Sequence, residues 1–327
     1  MDGKHHHTTH GTQIPAMLYG TAWKKERTAD LVYEAIKAGF RGIDTAAMKR
    51  HYDEAGTGEG IRRAIREGLV KRDDLWIQTK FTPNDADYAS KPQEYPTVAA
   101  QVRASVASSL RNLSTPSSPG HDSSSSPVDS VPYLDCLIMH SAYPRVEDTV
   151  EAWNTLREFV PAQIRTLGIS NISYQEFQEY QKLEDFHLVQ NRFTRTGSDW
   201  DVELRRDCLE HEILYQGFWT LTGNRADVQK AGFVKELADA VGISKEAAWY
   251  SLLIFGPGIL VLNGTTNPER MRHDLEAVEK VEEWKKTDQG KEVWRRVEHD
   301  VIEFTCNQAG APYEHVRDDG GFLCDKK

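Results

Sequence analysis

Short apolar or β-branched runs alternate along this chain with stretches whose apolar residues recur at helical spacing. Residues 17–21 read as a strand and 26–38 as the helix after it. The pair returns as 41–46 with 58–68, 75–81 with 97–113, 135–140 with 147–160, and 164–170 with 174–183. It returns again as 187–191 with 202–212, 213–217 with a longer helical region reaching Phe255, and 259–263 with 268–279. Eight strand–helix units in order imply a parallel sheet, because each crossover between parallel strands is long and right-handed.

That number of units in this length favours closure into a (β/α)8 TIM barrel, whose reactive groups sit at the C-terminal ends of the strands. The alternative, an open doubly wound sheet, announces its phosphate loop with G-x-G-x-x-G after the first strand. Here the first strand runs into Gly20-Thr-Ala-Trp23, and the glycine-rich Gly56-Thr-Gly58-Glu-Gly60 follows a loop. An N-terminal hairpin or arm precedes the barrel. Past residue 280 a charged helical pattern adds a C-terminal extension, followed by a polar tail over 307–327.

Composition narrows the function classes. With 39% hydrophobic and 28% charged residues, the 327-residue chain has material for a sizeable core. Forty basic against fifty acidic residues leave a net charge of −10, which argues against nucleic acid or an anionic membrane as partner. The longest apolar stretch, 251–262, is broken by Gly256-Pro-Gly258 and falls short of the ~18 residues of a membrane span. The first residues lack the apolar core of a secretory signal, and Cys136, Cys208, Cys306 and Cys324 show no C-x-x-C spacing. They read as reduced thiols of a cytoplasmic protein. His5, His6, His7 and His10 have no Cys or acidic neighbour to close a metal site and read as an exposed arm, so no metal is expected. Residues 114–132 are Ser/Pro-rich with no apolar period and read as a disordered insertion.

The chemistry stands at the strand ends. The second strand ends in Asp44, the third in Lys80 and the fourth in His140, and Tyr52 lies in the loop after Asp44. In a parallel barrel these ends share one rim, so a carboxylate, an ammonium, an imidazole and a phenol converge there as a proton-handling site.

With these residues in place, the sequence resembles the aldo-keto reductase family. The matching pieces are Gly39-Phe-Arg-Gly-Ile-Asp-Thr-Ala46, His51-Tyr-Asp-Glu54, Thr79-Lys80, Leu137-Ile-Met-His140, Gly168-Ile-Ser-Asn171, Val189-Gln-Asn191 and Gly264-Thr-Thr-Asn-Pro-Glu-Arg270. Each is weak alone; seven in family order are not. The resemblance implies one barrel domain over 1–327 and a nicotinamide-dependent reductase of small aldehydes or ketones, acting as a monomer. It makes Tyr52 the general acid, with Lys80 beside the phenol, Asp44 beside Lys80, and His140 orienting the carbonyl. A neighbouring ammonium favours the phenolate, whose ordinary pKa is ~10. Thr21, Ser170, Asn171, Gln190 and Tyr215 are implied at the nicotinamide end, Tyr215 stacking on its ring. Leu221, Thr265, Thr266, Asn267 and Arg270 are implied along the diphosphate and adenosine, where Pro268 at a helix start leaves free backbone N–H groups for an anion. Trp23, Phe81 and Trp219 are the substrate-pocket candidates, with Met48, His51 and Tyr143 on the rim.

Two departures bear on the cofactor. Many members of the family carry Lys-Ser where this chain has Gly264-Thr265, and Asn where it has Asp274. Arg270 remains for a 2′-phosphate, so NADP(H) is favoured and NAD(H) is the alternative. The stretch between Asp44 and Tyr52 is also longer than the usual family spacing. Two other functions stay open at this point: a cofactor-binding accessory protein, and a dehydratase or isomerase using the same groups.

Overall fold

The structure, a computed structural model, describes residues 5–7, 13–83, 95–115 and 132–306. An antiparallel hairpin, β1 (His5–His7) and β2 (Gln13–Pro15), precedes eight parallel strands. These are β3 (Met17–Gly20), β4 (Gly42–Asp44), β5 (Trp76–Phe81), β6 (Leu134–Met139), β7 (Ile164–Ser170), β8 (Phe186–Arg192), β9 (Leu214–Phe218) and β10 (Leu260–Asn263). They pair in chain order and close into a barrel, β10 bonding back to β3. The expected (β/α)8 barrel is the architecture found.

Helices α1 (Thr28–Ala38), α2 (Glu54–Arg66), α3 (Val98–Asn112), α4 (Val146–Arg157) and α5 (Tyr174–Tyr180) each follow one strand. Two, α6 (Arg195–Ser198) and α7 (Val202–Glu210), follow β8, and three, α8 (Arg225–Lys230), α9 (Gly232–Val241) and α10 (Lys245–Phe255), follow β9. After β10 come α11 (Pro268–Trp284) and the terminal α12 (Asp288–Cys306), which supplies the expected helical extension. Residues 116–131 of the Ser/Pro-rich stretch, the 307–327 tail and His10 lie outside the described residues.

Local chemistry explains the element ends. Leu31, Val32, Ala35 and Ile36 form the buried stripe of α1, and Gly39 ends it at φ 118°, a left-handed value that glycine adopts without a Cβ penalty. Asp53 accepts from the Gly56 N–H and caps α2. The glycine-rich run lies inside that helix. A Cβ on Gly58 would stand 1.9 Å from the Asn112 carbonyl oxygen, and one on Gly60 2.4 Å from that of Ala29. These glycines therefore serve close packing of α2 against its neighbours rather than phosphate binding.

Strand residues alternate between two cores. Ile43, Ile77, Leu137, Met139, Leu167, Ile169, Val189 and Val261 face out into the layer between barrel and helices. Leu18, Trp76, Cys136, Ile138, Leu188 and Leu260 face in and fill the barrel floor, joined by Ile14 of the hairpin. This alternation decides which residue at each strand end can reach the barrel mouth. No described helix is long and apolar enough to cross a membrane. Cys136 and Cys208 are buried free thiols, as expected, but Cys306 is disulfide-bonded.

Candidate active site

Above the apolar floor the barrel interior turns polar. Asp44, Gln78, Lys80, Gln190 and Gln216 are all buried there, on inward-facing positions of β4, β5, β8 and β9. Register places Asp44 beside Gln78 and Gln190 beside Gln216. The Lys80 ammonium donates to both oxygens of Asp44, at 2.6 and 2.7 Å, and to the Thr45 carbonyl at 2.8 Å. Gln78 and Gln190 also donate to Asp44 Oδ1, at 2.6 and 3.0 Å, and both amides donate to Gln216 Oε1. A buried ion pair is stable only when its remaining hydrogen-bonding capacity is met, and the glutamines meet it. Burial pushes the Lys80 ammonium below its ordinary value, with Asp44 opposing the shift.

Tyr52 and His140 sit above this pair. Lys80 Nζ lies 5.1 Å from the Tyr52 ring centroid, and the Tyr52 and His140 rings meet edge to face at 5.9 Å. The longer stretch after Asp44 therefore still delivers the phenol to the ammonium. Backbone bonds fasten that stretch, from Thr45 N to Gln78 O, from Ala47 N to Lys80 O and from Tyr52 N to Met48 O. His140 Nδ1 stands 3.0 Å from Thr82 Oγ1. Burial first, then the charge of Lys80, holds the imidazole well below its ordinary pKa, so it is neutral at physiological pH. The neutral ring carries one proton, and the tautomer in which the Thr82 hydroxyl donates to Nδ1 carries it on Nε2.

A cavity of about 1170 Å³ opens over these groups and runs toward β10 and α11. Asp44, Tyr52 and His140 line it, with Ser170, Asn171 and Gln190 beside them. Ser170 Oγ donates to the Gln190 carbonyl, and Asn171 Nδ2 donates to the His140 carbonyl and to Ser170 Oγ. Trp23 and Trp219 stand exposed on its walls, Trp23 stacked on His51 with ring centroids 4.0 Å apart. Leu221, Thr265, Thr266 and Arg270 line the far half, and Met48 the rim.

Strand alternation corrects the expected positions of Tyr215, Phe81 and Thr21, and the loop after β6 that of Tyr143. Tyr215 faces out of β9, its hydroxyl donating to Asp201 at 2.8 Å, and Phe218 takes the cavity-lining place expected of it. Phe81 neighbours inward-facing Lys80 and so faces out, packing on Tyr143 at 6.4 Å. Tyr143 is likewise buried away from the rim, donating to Gln101. Thr21 follows inward-facing Gly20 and is buried behind the cavity wall, its hydroxyl without a hydrogen-bond partner among the described residues.

Asn267 differs for another reason. Its Oδ1 accepts from the Glu269 and Arg270 N–H groups at 2.9 and 3.1 Å, so it caps α11 and occupies the donors expected to bind an anion. Thr265 N–H likewise donates to Asn263 Oδ1, at 2.9 Å. Side-chain cations at this end are then the stronger donors for an anion. One is Lys24, which reaches across the cavity to the Gly264 carbonyl. A Cβ at 264 would meet only its ammonium, at 3.7 Å. The charge missing at residue 264 is thus returned from the loop after β3. Lys24, Phe218, Gln78 and Gln216 were the residues that sequence reasoning missed. The two-residue spacing from Lys80 back to Gln78 and from Gln216 to Phe218 was the available signal.

The cavity fits a nicotinamide dinucleotide. It runs from an amide-rich pocket of Ser170, Asn171 and Gln190 beside Tyr52 to a far end where Lys24, Arg270 and Lys280 stand among Glu246, Asp274 and Glu276.

Known proteins resemble this chain at several levels. The NAD(P)H-dependent D-xylose reductase of Pachysolen tannophilus is 50% identical over 74 residues, which are 23% of this chain and only 22% of that protein. The 7-acetyl-epi-neemfruitin B aldo-keto reductase of Melia azedarach is 25% identical over 305 residues, covering 85% of this chain and 83% of its own. A solved structure of an aldo-keto reductase complexed with NADPH superposes with a TM-score of 0.65 at 19% identity, over 85% of this chain and 86% of the other. The model of the aldo/keto reductase family matches residues 14–290, and the chain belongs to that family.

Proposed function

We propose that this protein reduces a small aldehyde or ketone to the alcohol, with Tyr52 as the general acid and NADP(H) as the cofactor. The observation that carries the reading is the position of the Tyr52 phenol between the Lys80 ammonium and the His140 ring, at the mouth of one cavity. The dinucleotide supplies the hydride when bound. As negative charge develops on the carbonyl oxygen, the Tyr52 hydroxyl gives up its proton to it. The buried ammonium of Lys80 stabilises the charge left on the phenol oxygen, in surroundings where such charge is poorly solvated. Asp44 holds Lys80 cationic against the cost of burial. Neutral His140 keeps a proton on Nε2 and donates it in a hydrogen bond, which fixes the direction of the carbonyl.

Ser170, Asn171 and Gln190 would hold the nicotinamide amide. Gln190 Nε2 is committed to Asp44 and Gln216, which leaves its Oε1 as the acceptor. Phe218 would pack on the ring. Arg270, with Lys24 beside Gly264, favours a dinucleotide carrying a 2′-phosphate.

The test follows NADPH oxidation at 340 nm over a panel of aldehydes and ketones, for wild type and Tyr52→Phe, beside calorimetric titration with NADPH and NADH. Tyr52→Phe is expected to lose on the order of 10² to 10⁴ in turnover while keeping its dinucleotide affinity. Wild-type turnover in the variant overturns the acid assignment. Binding without oxidation across the panel favours an accessory protein. Deuterated NADPH that leaves no label in the product points to dehydration or isomerisation.

A further inference from the structure

Arg192 is the last residue of β8, two positions past Gln190 and therefore on the same inward-facing side of the strand. It lines the cavity, paired in register with Phe218 of β9. Its guanidinium carbon lies 4.4 Å from the ring centroid of Trp219. No carboxylate among the described residues pairs with it.

The tryptophan is held in place by its backbone. Trp219 is 51% exposed and sits at φ 59°, a left-handed conformation that costs a bulky residue energy. A hydrogen-bonded turn, anchored by buried Thr220 and Asn224, follows it. Gly223 N–H donates to the Trp219 carbonyl at 2.9 Å, and Asn224 Nδ2 donates to the Thr220 and Phe193 carbonyls, both at 2.8 Å. Trp249 Nε1 adds a third donor, to Thr220, at 2.8 Å. The indole is thus presented from a pinned backbone, and a guanidinium lying on an aromatic face keeps its N–H edges for a planar oxyanion.

The geometry points to Arg192, laid on Trp219, as an oxyanion-binding group of the cavity. The ligand chemistry it suits is the diphosphate of the dinucleotide or the carboxylate of a carbonyl acid. Asn267 takes the Glu269 and Arg270 N–H groups at the start of α11, which gives side-chain cations on the cavity wall such as Arg192 a larger share in holding an anion. Net charge adds force: in a chain of −10, an exposed arginine on the cavity wall with no ion-pair partner among the described residues is an attractor for anions.

The assignment rests on the reductase reading for the identity of its ligands, and the experiment separates the two. Arg192→Leu, Arg192→Lys and Trp219→Leu are compared with wild type in two arms. Calorimetric titration with NADPH reads the diphosphate. The KM for 4-carboxybenzaldehyde against benzaldehyde reads the carboxylate. A diphosphate role predicts NADPH affinity about tenfold or more weaker in Arg192→Leu, with the two aldehydes affected alike. A carboxylate role predicts unchanged NADPH affinity and a rise of that size in KM for the charged aldehyde alone. In either case Arg192→Lys recovers part of the loss and Trp219→Leu shows a smaller one. Affinity and both KM values within twofold of wild type in Arg192→Leu overturn the proposal. A wild-type protein that binds NADPH but reduces neither aldehyde sinks the reductase reading and leaves the titration arm to judge Arg192.

Discussion

Gln78 Nε2 donates to Asp44 Oδ1 at 2.6 Å, the same oxygen that accepts from Lys80 at 2.6 Å. A donor on that oxygen spreads the carboxylate's charge and weakens its hold on the Lys80 proton. Burial pushes the Lys80 ammonium down and Asp44 opposes it; the Gln78 bond is expected to weaken that opposition. Replacing Gln78 by Met keeps the volume and removes the donor. Asp44 then bears more fully on Lys80, the ammonium holds its proton to higher pH, and the alkaline limb of turnover moves up. Trp76 Nε1 loses its acceptor, so the variant is also expected to be less stable by ~1–3 kcal/mol. A pH profile of kcat with NADPH checks the first effect and thermal unfolding the second. An unmoved limb would make Gln78 a purely structural partner.

Asp274 is buried at the far end of the cavity, accepting from Asn263 Nδ2 at 2.7 Å. Burial raises its carboxyl from 3.8 to about 6; Glu246 adds to this, while the Asn263 bond, Arg270 and His273 oppose it. A raised acid binds more protons folded than unfolded, so stability falls as pH rises through this interval. The cost is absent below about pH 4 and complete above about pH 6, where it amounts to roughly 3 kcal/mol. Asp274→Asn keeps an acceptor for Asn263 and removes the ionisation. Its melting temperature should exceed that of wild type at pH 7.5 and match it near pH 4. A gain of the same size at both values would trace the effect to packing instead.

The barrel was legible because eight apolar runs, each followed by a helical stretch, admit few parallel topologies. Asp44, Lys80 and His140 were legible because they stand within one residue of their strands' C-terminal ends, on the inward side. Thr21, Phe81 and Tyr215 share one reason for lying off the cavity: each neighbours a residue, Gly20, Lys80 or Gln216, that already takes the inward side of its strand. A shift of one residue reverses the face, so Tyr215 reaches Asp201 and Phe218 reaches the cavity. Asn267 failed differently: its short amide satisfies the local N–H groups that a bare helix start would offer. Lys24 was beyond reach, since its partner Gly264 is 240 residues away along the chain.

Glu54 ties Tyr52 to the rest of the barrel. It stands two residues past the phenol at the start of α2, is buried, and accepts from Thr79 Oγ1 at 2.5 Å, Ser109 Oγ at 2.8 Å and Asn112 Nδ2 at 2.8 Å. Thr79 precedes Lys80, so one carboxyl group fixes the helix that follows the phenol to the strand that carries the ammonium. Glu54→Ala would leave two buried donors, Thr79 and Ser109, and the half-buried Asn112 amide without an acceptor, each buried one costing ~1–3 kcal/mol if fully orphaned. A loss of roughly 3 kcal/mol is expected after relaxation, seen as a drop of about 6–12 °C in melting temperature. Glu54→Gln keeps one oxygen and most of the shape, so it should fold nearly as well. If the tie positions Tyr52, this milder variant lowers kcat for carbonyl reduction while its dinucleotide affinity stays at the wild-type value. Unchanged kcat in Glu54→Gln together with the stability loss in Glu54→Ala would leave Glu54 as a brace of the barrel wall alone.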